Sequence, residues 1–324
     1  MADTGNPLRV LLFFGPTASG KTETLDRLFA GIHAPYKAEL VSADSMQVYR
    51  GMDIGTAKSD CDLRSRLPHH LVDIRNPNES FNVGDFVRLA DEACLDIASR
   101  GRLPVVSGGT GFYLKHFVLG LPETPPSDSV VRLALKHRLE AEGIDSLVAE
   151  LARVDPISAA RIHANDEYRI LRALEVFHVS GSPVSSFSSL PSSDSPSMQA
   201  RPAYQFLLVG IQRRREELYR RINERTAFMF ENGLPAELAA LKEAGYGPQD
   251  PGLRAIGYQE FFKEDGNLIE NLEAVQTLVA RNSRRYAKRQ ILFFSSLPSV
   301  RWIDVEHEDT ATKLALELDG FLKK

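Results

Sequence analysis

Apolar residues gather into six runs of strand length, at 9–14, 39–42, 70–74, 103–107, 205–211 and 300–305, and segments of helical spacing separate most of them. That alternation predicts an α/β fold with a mainly parallel sheet. The pattern changes between Gly120 and Arg201. Pro122, Pro125 and Pro126 open a stretch whose periodicity is helical from 129 to 179, with no strand candidate. We therefore expect an all-helical insertion at 121–204 between two parts of one core, 1–120 and 205–324. It closes at 180–202, where serine, proline and glycine dominate and a loop is predicted. From Arg215 the chain is helical again and ends in a long helix expected over 267–294.

The first apolar run leads into Gly15, Pro16, Thr17, Ala18, Ser19, Gly20, Lys21 and Thr22, with helical spacing from Glu23 to Ala30 after them. This is the G-x-x-x-x-G-K-[ST] spacing of a phosphate-binding loop, and it makes the predicted core P-loop NTPase-like. Backbone N–H groups wrap phosphate oxygens, Lys21 reaches a bridging oxygen and Thr22 ligates Mg²⁺. Asp44 follows the second run, on the edge where an α/β sheet places ligands. It suits holding Mg²⁺ through water, acting as a general base, or capping a turn. Ser107 to Gly111 ends the fourth run with glycines that allow either a ligand or a tight turn, and Thr110 offers a hydroxyl there.

At 324 residues, 43% hydrophobic and 25% charged, the chain can bury a large core, and its net charge of −4 leaves nucleic-acid affinity to local patches. One such patch is plain. Arg281, Arg284, Arg285, Lys288 and Arg289 share one helical face with no acid between them, which favours a polyanion. A second group, 213–225, holds six arginines with Glu216, Glu217 and Glu224 among them, and of these Arg221 and Arg225 are expected to face the phosphates. Asp166 sits where a helix cap belongs, ahead of Arg169 and Arg172. Cys61 and Cys94 are far apart, and His69 and His70 lack a third ligand at metal spacing, so neither a disulfide framework nor a zinc site is expected. The apolar run before the loop, about six residues, is too short for a signal-peptide core, and no stretch approaches the length of a membrane span. A cytoplasmic monomer is expected.

The segments 15–22, 44–58, 68–74, 108–113, 165–176, 221–225, 255–260 and 284–290, in this order, closely resemble the tRNA dimethylallyltransferase family. The resemblance implies transfer of a dimethylallyl group from its diphosphate to N6 of adenosine 37 in tRNAs that read codons beginning with U. Dimethylallyl diphosphate and the tRNA anticodon stem-loop are then the partners, and Mg²⁺ the cofactor. By the family pattern Arg225, Thr22 and Asp44 are catalytic, while 15–22, Arg221 and Arg225 hold the diphosphate. Asp44, Ser45, Met46, Gln47 and Thr110 would touch the adenine. Arg132, then Tyr168, Arg169, Ile170, Leu171 and Arg172, and Arg254, Ala255, Ile256, Gly257, Tyr258 and Gln259 would hold the anticodon arm, with the cations of 281–289.

The chain also departs from the family. Ser59 stands where proline usually follows, and 291–295 read Ile-Leu-Phe-Phe-Ser in place of a stretch that tends to carry tryptophan and arginine. It lacks the cysteines and histidines of the eukaryotic C-terminal zinc finger, so the bacterial type is expected. Three other readings use parts of the same pattern: an ATP-dependent small-molecule kinase, an adenylate isopentenyltransferase, and a noncatalytic RNA-binding module. The kinase leaves the basic stripe unused, and the RNA-binding module leaves the loop and Asp44 unused.

Overall fold

The computed structural model describes residues 6–31, 34–187, 201–297 and 299–323. The chain divides into two compact units, Met1–Leu119 with Pro196–Lys324, and Gly120–Ser195.

The first unit is built on a parallel sheet of six strands, β1 (Leu8–Phe14), β2 (Ala38–Ser42), β3 (His69–His70), β4 (Leu103–Gly108), β5 (Tyr204–Gln212) and β6 (Arg301–Asp304), in the order β3-β2-β4-β1-β5-β6. The run from Val10 to Phe14 is fully buried because its two faces meet separate cores. Val10, Leu12 and Phe14 pack toward α3 (Val83–Ser99) and α4 (Gly111–Leu119), whereas Leu11 and Phe13 pack toward α1 (Lys21–Leu25) and α12 (Thr310–Leu322). Burying one such phenylalanine contributes about 1.5–3 kcal/mol. The rest of the unit comprises α2 (Cys61–Arg66), α9 (Arg215–Glu231), α10 (Leu234–Glu243) and α11 (Leu272–Phe294). The second unit holds α5 (Ser129–Glu142), α6 (Ile144–Val154), α7 (Pro156–Arg161) and α8 (Glu167–Ser180), and no strand among its described residues.

Three expected boundaries need correction. The strand placed at 70–74 stops after His70, because Leu71 and Asp73 take left-handed φ angles of 62° and 57°, which end the pleat. The Ile74 and Arg75 amides donate instead to Val48 O, at 2.8 and 2.9 Å. The helix placed at 23–30 starts at Lys21 and finishes as a wider turn over Asp26–Ala30. The long helix begins at Leu272, where the Asn271 side chain accepts the Ala274 amide at 3.0 Å. Of the loop expected at 180–202, Val184–Phe187 form a 3₁₀ turn, and 188–200 lie outside the described residues.

Candidate active site

The sheet register brings the reactive segments to one edge. Phe14 pairs with Gly108 on one side and Gly210 on the other, and Ser42 pairs with Ser107. The phosphate loop, Asp44, Gly109 and Arg213 all leave the carboxyl ends of neighbouring strands, where α/β sheets bind ligands. Within 15–20 only Ala18 (φ 61°) and Gly20 (φ 105°) are left-handed, an alternation that turns successive backbone N–H groups to one side as an anion nest.

Cations surround this nest. Lys21 Nζ donates to Gly15 O at 2.9 Å and Pro16 O at 3.0 Å. Desolvation, with Arg225 nearby and only partly offset by Asp44, lowers its pKa to about 8. Three guanidiniums meet three successive loop residues: Arg225 Nη1 donates to Thr17 Oγ1 at 3.2 Å, Arg221 Nε to Ala18 O at 3.0 Å, and Arg213 Nη2 to Ser19 O at 3.4 Å. Burial lowers the pKa of both Arg225 and Arg213, with Arg221 adding to the effect at Arg213. Arg221 and Arg225 share a face of α9 as expected, and Arg220 turns outward to Glu217 and Glu224. Arg225 lines the cleft, whereas Arg221 supports the loop from behind.

Across from the loop, Asp44 Oδ1 accepts the Met46 amide at 2.9 Å, so the turn-capping role is realised by one oxygen. Oδ2 has no partner among the described residues, and Asp44 lines the cleft with Ser45 and Met46. Thr110 Oγ1 accepts the Ser45 amide at 3.0 Å and so fixes the turn that carries Asp44. Gln47 also lines the cleft, with Oε1 accepting from Ser42 Oγ and Nε2 donating to Thr56 O at 3.3 Å.

The glycines at the end of β4 are required by protein neighbours. A Cβ on Gly108 would lie 2.1 Å from Ala43 O, and one on Gly109 would lie 2.4 Å from Gln290 Nε2. Gln290, 4% exposed on α11, accepts the Thr17 amide at 2.9 Å and donates to Gly109 O at 2.8 Å. It lies outside the expected site set, yet the pattern carries a sign of it: a polar residue on the buried stripe Ala287, Gln290, Phe294. Arg213 is likewise absent from that set, since its neighbours in sequence read as a mixed-charge helix surface.

The cleft enclosed by these groups has a volume of about 420 Å³. Leu25, Leu40, Leu63, Leu67, Ile222 and Met229 supply apolar wall, a composition suited to a small ligand with one charged end. His69 stands on that wall, bonded to Ser59 Oγ at 3.1 Å, while His70 pairs with Glu39 at 2.7 Å. Arg254, Ala255, Ile256, Gln259 and Arg289 also line the cleft. The expectation that Tyr258 contacts RNA is corrected: its side chain is fully buried and its hydroxyl is bonded to Glu237 at 2.6 Å. Gly257 is buried as well, its amide donating to Glu260.

In the helical unit, Asp166 caps α8 by accepting the Arg169 amide at 3.1 Å. Arg132 lies over the Tyr168 ring, 5.1 Å from its centroid, and Tyr168 is 64% exposed. Arg169 is exposed, and Arg172 is tied to Glu175 at 3.1 Å and Pro125 O at 2.7 Å. Ile170 and Leu171 are corrected: at 1% and 6% exposure they belong to the core of this unit, not to an RNA face. On α11, Arg281, Arg285, Lys288 and Arg289 are exposed, and Arg284 is half-buried against Asn223. Among the described residues, none of the five pairs with an acid. The same residues contain no group of three His, Cys, Asp or Glu placed to hold a metal, and no helix long and apolar enough to cross a membrane.

A glycine loop at the carboxyl edge of a parallel sheet, backed by arginines and sharing a partly apolar cleft with an acid, defines an α/β fold with a candidate anion-binding active site. The chain belongs to the IPP transferase family, whose model matches residues 47–297. It is 41% identical to a tRNA dimethylallyltransferase of Geobacter sulfurreducens over 98% of both chains. The crystal structure of a full-length tRNA isopentenylpyrophosphate transferase from Bacillus halodurans is 36% identical, with a TM-score of 0.65 over 98% of both chains. A eukaryotic dimethylallyltransferase crystallised while acting on tRNA shares the fold, at 24% identity and a TM-score of 0.77, over 95% of this chain and 77% of its own.

Proposed function

We propose that this enzyme transfers the dimethylallyl group of dimethylallyl diphosphate to N6 of adenosine 37 in tRNAs that read codons beginning with U. The observation that carries the reading is a shared cleft. Lys21 and Arg225 stand at one wall and Asp44 at another, with apolar wall between them for a five-carbon chain. The loop cradles diphosphate whatever organic group it carries. As the allylic C–O bond lengthens, negative charge gathers on the departing diphosphate, and Lys21 with Arg225 stabilises it electrostatically.

The incoming N6 amine is a poor nucleophile, so it needs orientation and loss of a proton. Asp44 Oδ2 accepts that proton as the new C–N bond forms at the allylic carbon. The adenine leaves its stack to enter the cleft, where Ser45, Met46 and Gln47 meet it. Thr110 acts through the Ser45 amide that it holds. The exposed cations of α11, with Arg254 and Gln259, bind the anticodon arm through phosphates and loop bases, and the helical unit offers its own RNA contacts in Arg169 and the Arg132–Tyr168 stack.

The donor set suits Mg²⁺ held largely by ligand oxygens and water: Thr22 is exposed on the cleft wall and Asp44 lines the same cleft, with no cage of carboxylates among the described residues. Bound there, the ion would supply further charge neutralisation of the diphosphate through Thr22.

Incubation with labelled dimethylallyl diphosphate, ATP, AMP and unmodified tRNA tests the reading against its alternatives. The expected product is labelled tRNA yielding N6-(dimethylallyl)adenosine on digestion. Label on AMP alone, or phosphate transfer from ATP to a small acceptor, contradicts it.

A further inference from the structure

Two wall segments of the cleft, 55–57 and 255–259, are joined through one carboxylate that lies outside the cleft itself. Glu237 on α10 accepts the Asp53 and Ile54 amides on Oε2, both at 2.8 Å, and the Gly55 amide at 3.1 Å and the Tyr258 hydroxyl at 2.6 Å on Oε1. Four donors therefore converge on one side chain. Tyr258 is fully buried, and its ring packs so closely on Gly55 that a Cβ there would lie 2.5 Å from ring carbon Cε2. On the far side of the same turn, Gln47 Nε2 donates to Thr56 O and Ala57 O at 3.3 and 3.4 Å. Gly55, Thr56 and Ala57 line the cleft, as do Ala255, Ile256 and Gln259 beside Tyr258.

We infer that Glu237 is a positioning residue for the acceptor side of the cleft: it sets the wall on which Gln47 meets the adenine and from which Gln259 meets the anticodon arm. This rests on the reading of the cleft as the adenine site. Both carboxylate oxygens are in use, and three of the four donors are backbone amides that cannot turn away. Charge-assisted bonds of this kind are the stronger class, and an amide side chain in the same place can accept on one end only. Among the described residues no hydrogen bond or ion pair joins the diphosphate loop to Glu237, so the effect of losing the clamp is directed at tRNA.

The test compares Glu237→Gln, Glu237→Ala and Tyr258→Phe in the full chain, with steady-state kinetics in each substrate and hydrogen exchange at the amides of 53–55. The expected result for Glu237→Gln and Glu237→Ala is a loss on the order of 10-fold or more in kcat/KM for tRNA, with KM for dimethylallyl diphosphate within about twofold of the parent. Exchange at 53–55 should quicken without matching change elsewhere, and Tyr258→Phe should show the same split more weakly. Wild-type kinetics for tRNA in Glu237→Gln would overturn the inference, as would equal losses in both substrates together with a collapse in Tm. If the parent enzyme labels no tRNA, the proposed function fails by itself, and the exchange at 53–55 still decides whether the clamp exists.

Discussion

Gln290 accepts the backbone N–H of Thr17 at 2.9 Å, so a residue near the end of the chain holds the phosphate loop near its beginning. Its other end donates to Gly109 O at 2.8 Å and ties that loop to the end of β4. Gln290→Leu keeps the bulk and removes both bonds: the half-buried Thr17 amide loses its partner, at a cost of about 1–3 kcal/mol, while Gly109 O keeps only the longer bond from the Tyr286 hydroxyl, at 3.4 Å. Thermal denaturation should show the loss of stability, and diphosphate affinity should fall with it. Unchanged affinity would mean that the loop keeps its shape without the strut.

Arg225 and Arg221 offer a sharper comparison, since they are one turn apart and differ in where they point. Arg225 lines the cleft and bonds Thr17 Oγ1, whereas Arg221 bonds the Ala18 carbonyl. Arg225→Ala should lower kcat by about 10² to 10³, the range for a lost donor to developing charge. Arg221→Ala should act mainly on KM for the diphosphate. Single-turnover measurements separate the two, and the reverse ranking would reassign the roles.

The pKa of Lys21 makes diphosphate binding depend on pH. Burial and the neighbouring Arg225 lower it from 10.5 to about 8, so the charged form is disfavoured before a ligand arrives. Between about pH 8 and 10.5 the unfolded chain binds more protons at this residue than the folded one, so this residue's contribution to stability rises with pH across that window. A bound diphosphate prefers charged lysine, which reverses the sense for affinity: it should weaken as pH rises through about 8. Calorimetry at that pH in buffers of different ionisation enthalpy should detect proton uptake on binding, and Lys21→Met should abolish it.

Glycine substitutions separate close packing from conformational freedom. Gly108→Ala sets a Cβ 2.1 Å from Ala43 O, where both sides are backbone, and should destabilise by about 1–3 kcal/mol or more. Gly320→Ala in α12 meets nothing within 4 Å and should stabilise by about 0.5–1 kcal/mol. Urea denaturation reads both.

Neutralising Arg284 and Lys288 together should weaken tRNA binding and flatten its dependence on salt, by about 0.7–0.9 in the log–log slope for each phosphate that these side chains neutralise in the parent. The five cations of this face have no acidic partner among the described residues, so internal ion pairing does not explain them. An unchanged slope would assign the face to something other than RNA.

The local signals proved the most legible. Consecutive apolar residues in β1 meant burial on both faces, the loop spacing located the anion nest, and Asp166 capped α8 where its side chain belonged. Features made by distant partners were hidden. The left-handed Leu71 and Asp73, which cut β3 to two residues, leave no mark in an apolar run. Ile170 and Leu171 follow the exposed Tyr168 and Arg169, and Tyr258 precedes the exposed Gln259; only helix phase and packing turn those three inward. Gln290 and Glu237 depend on backbone groups 181 to 273 positions away, so composition near them is silent about what they hold.

The proposed reaction turns on one carboxylate and one purine nitrogen. The structure of the enzyme with an anticodon stem-loop and inorganic diphosphate would measure their separation. It should place N6 of adenosine 37 within about 3 Å of Asp44 Oδ2 while the glycine loop holds the anion. An adenine stacked in its own loop, or lodged in the cleft with its amine turned away from Asp44, would contradict the mechanism.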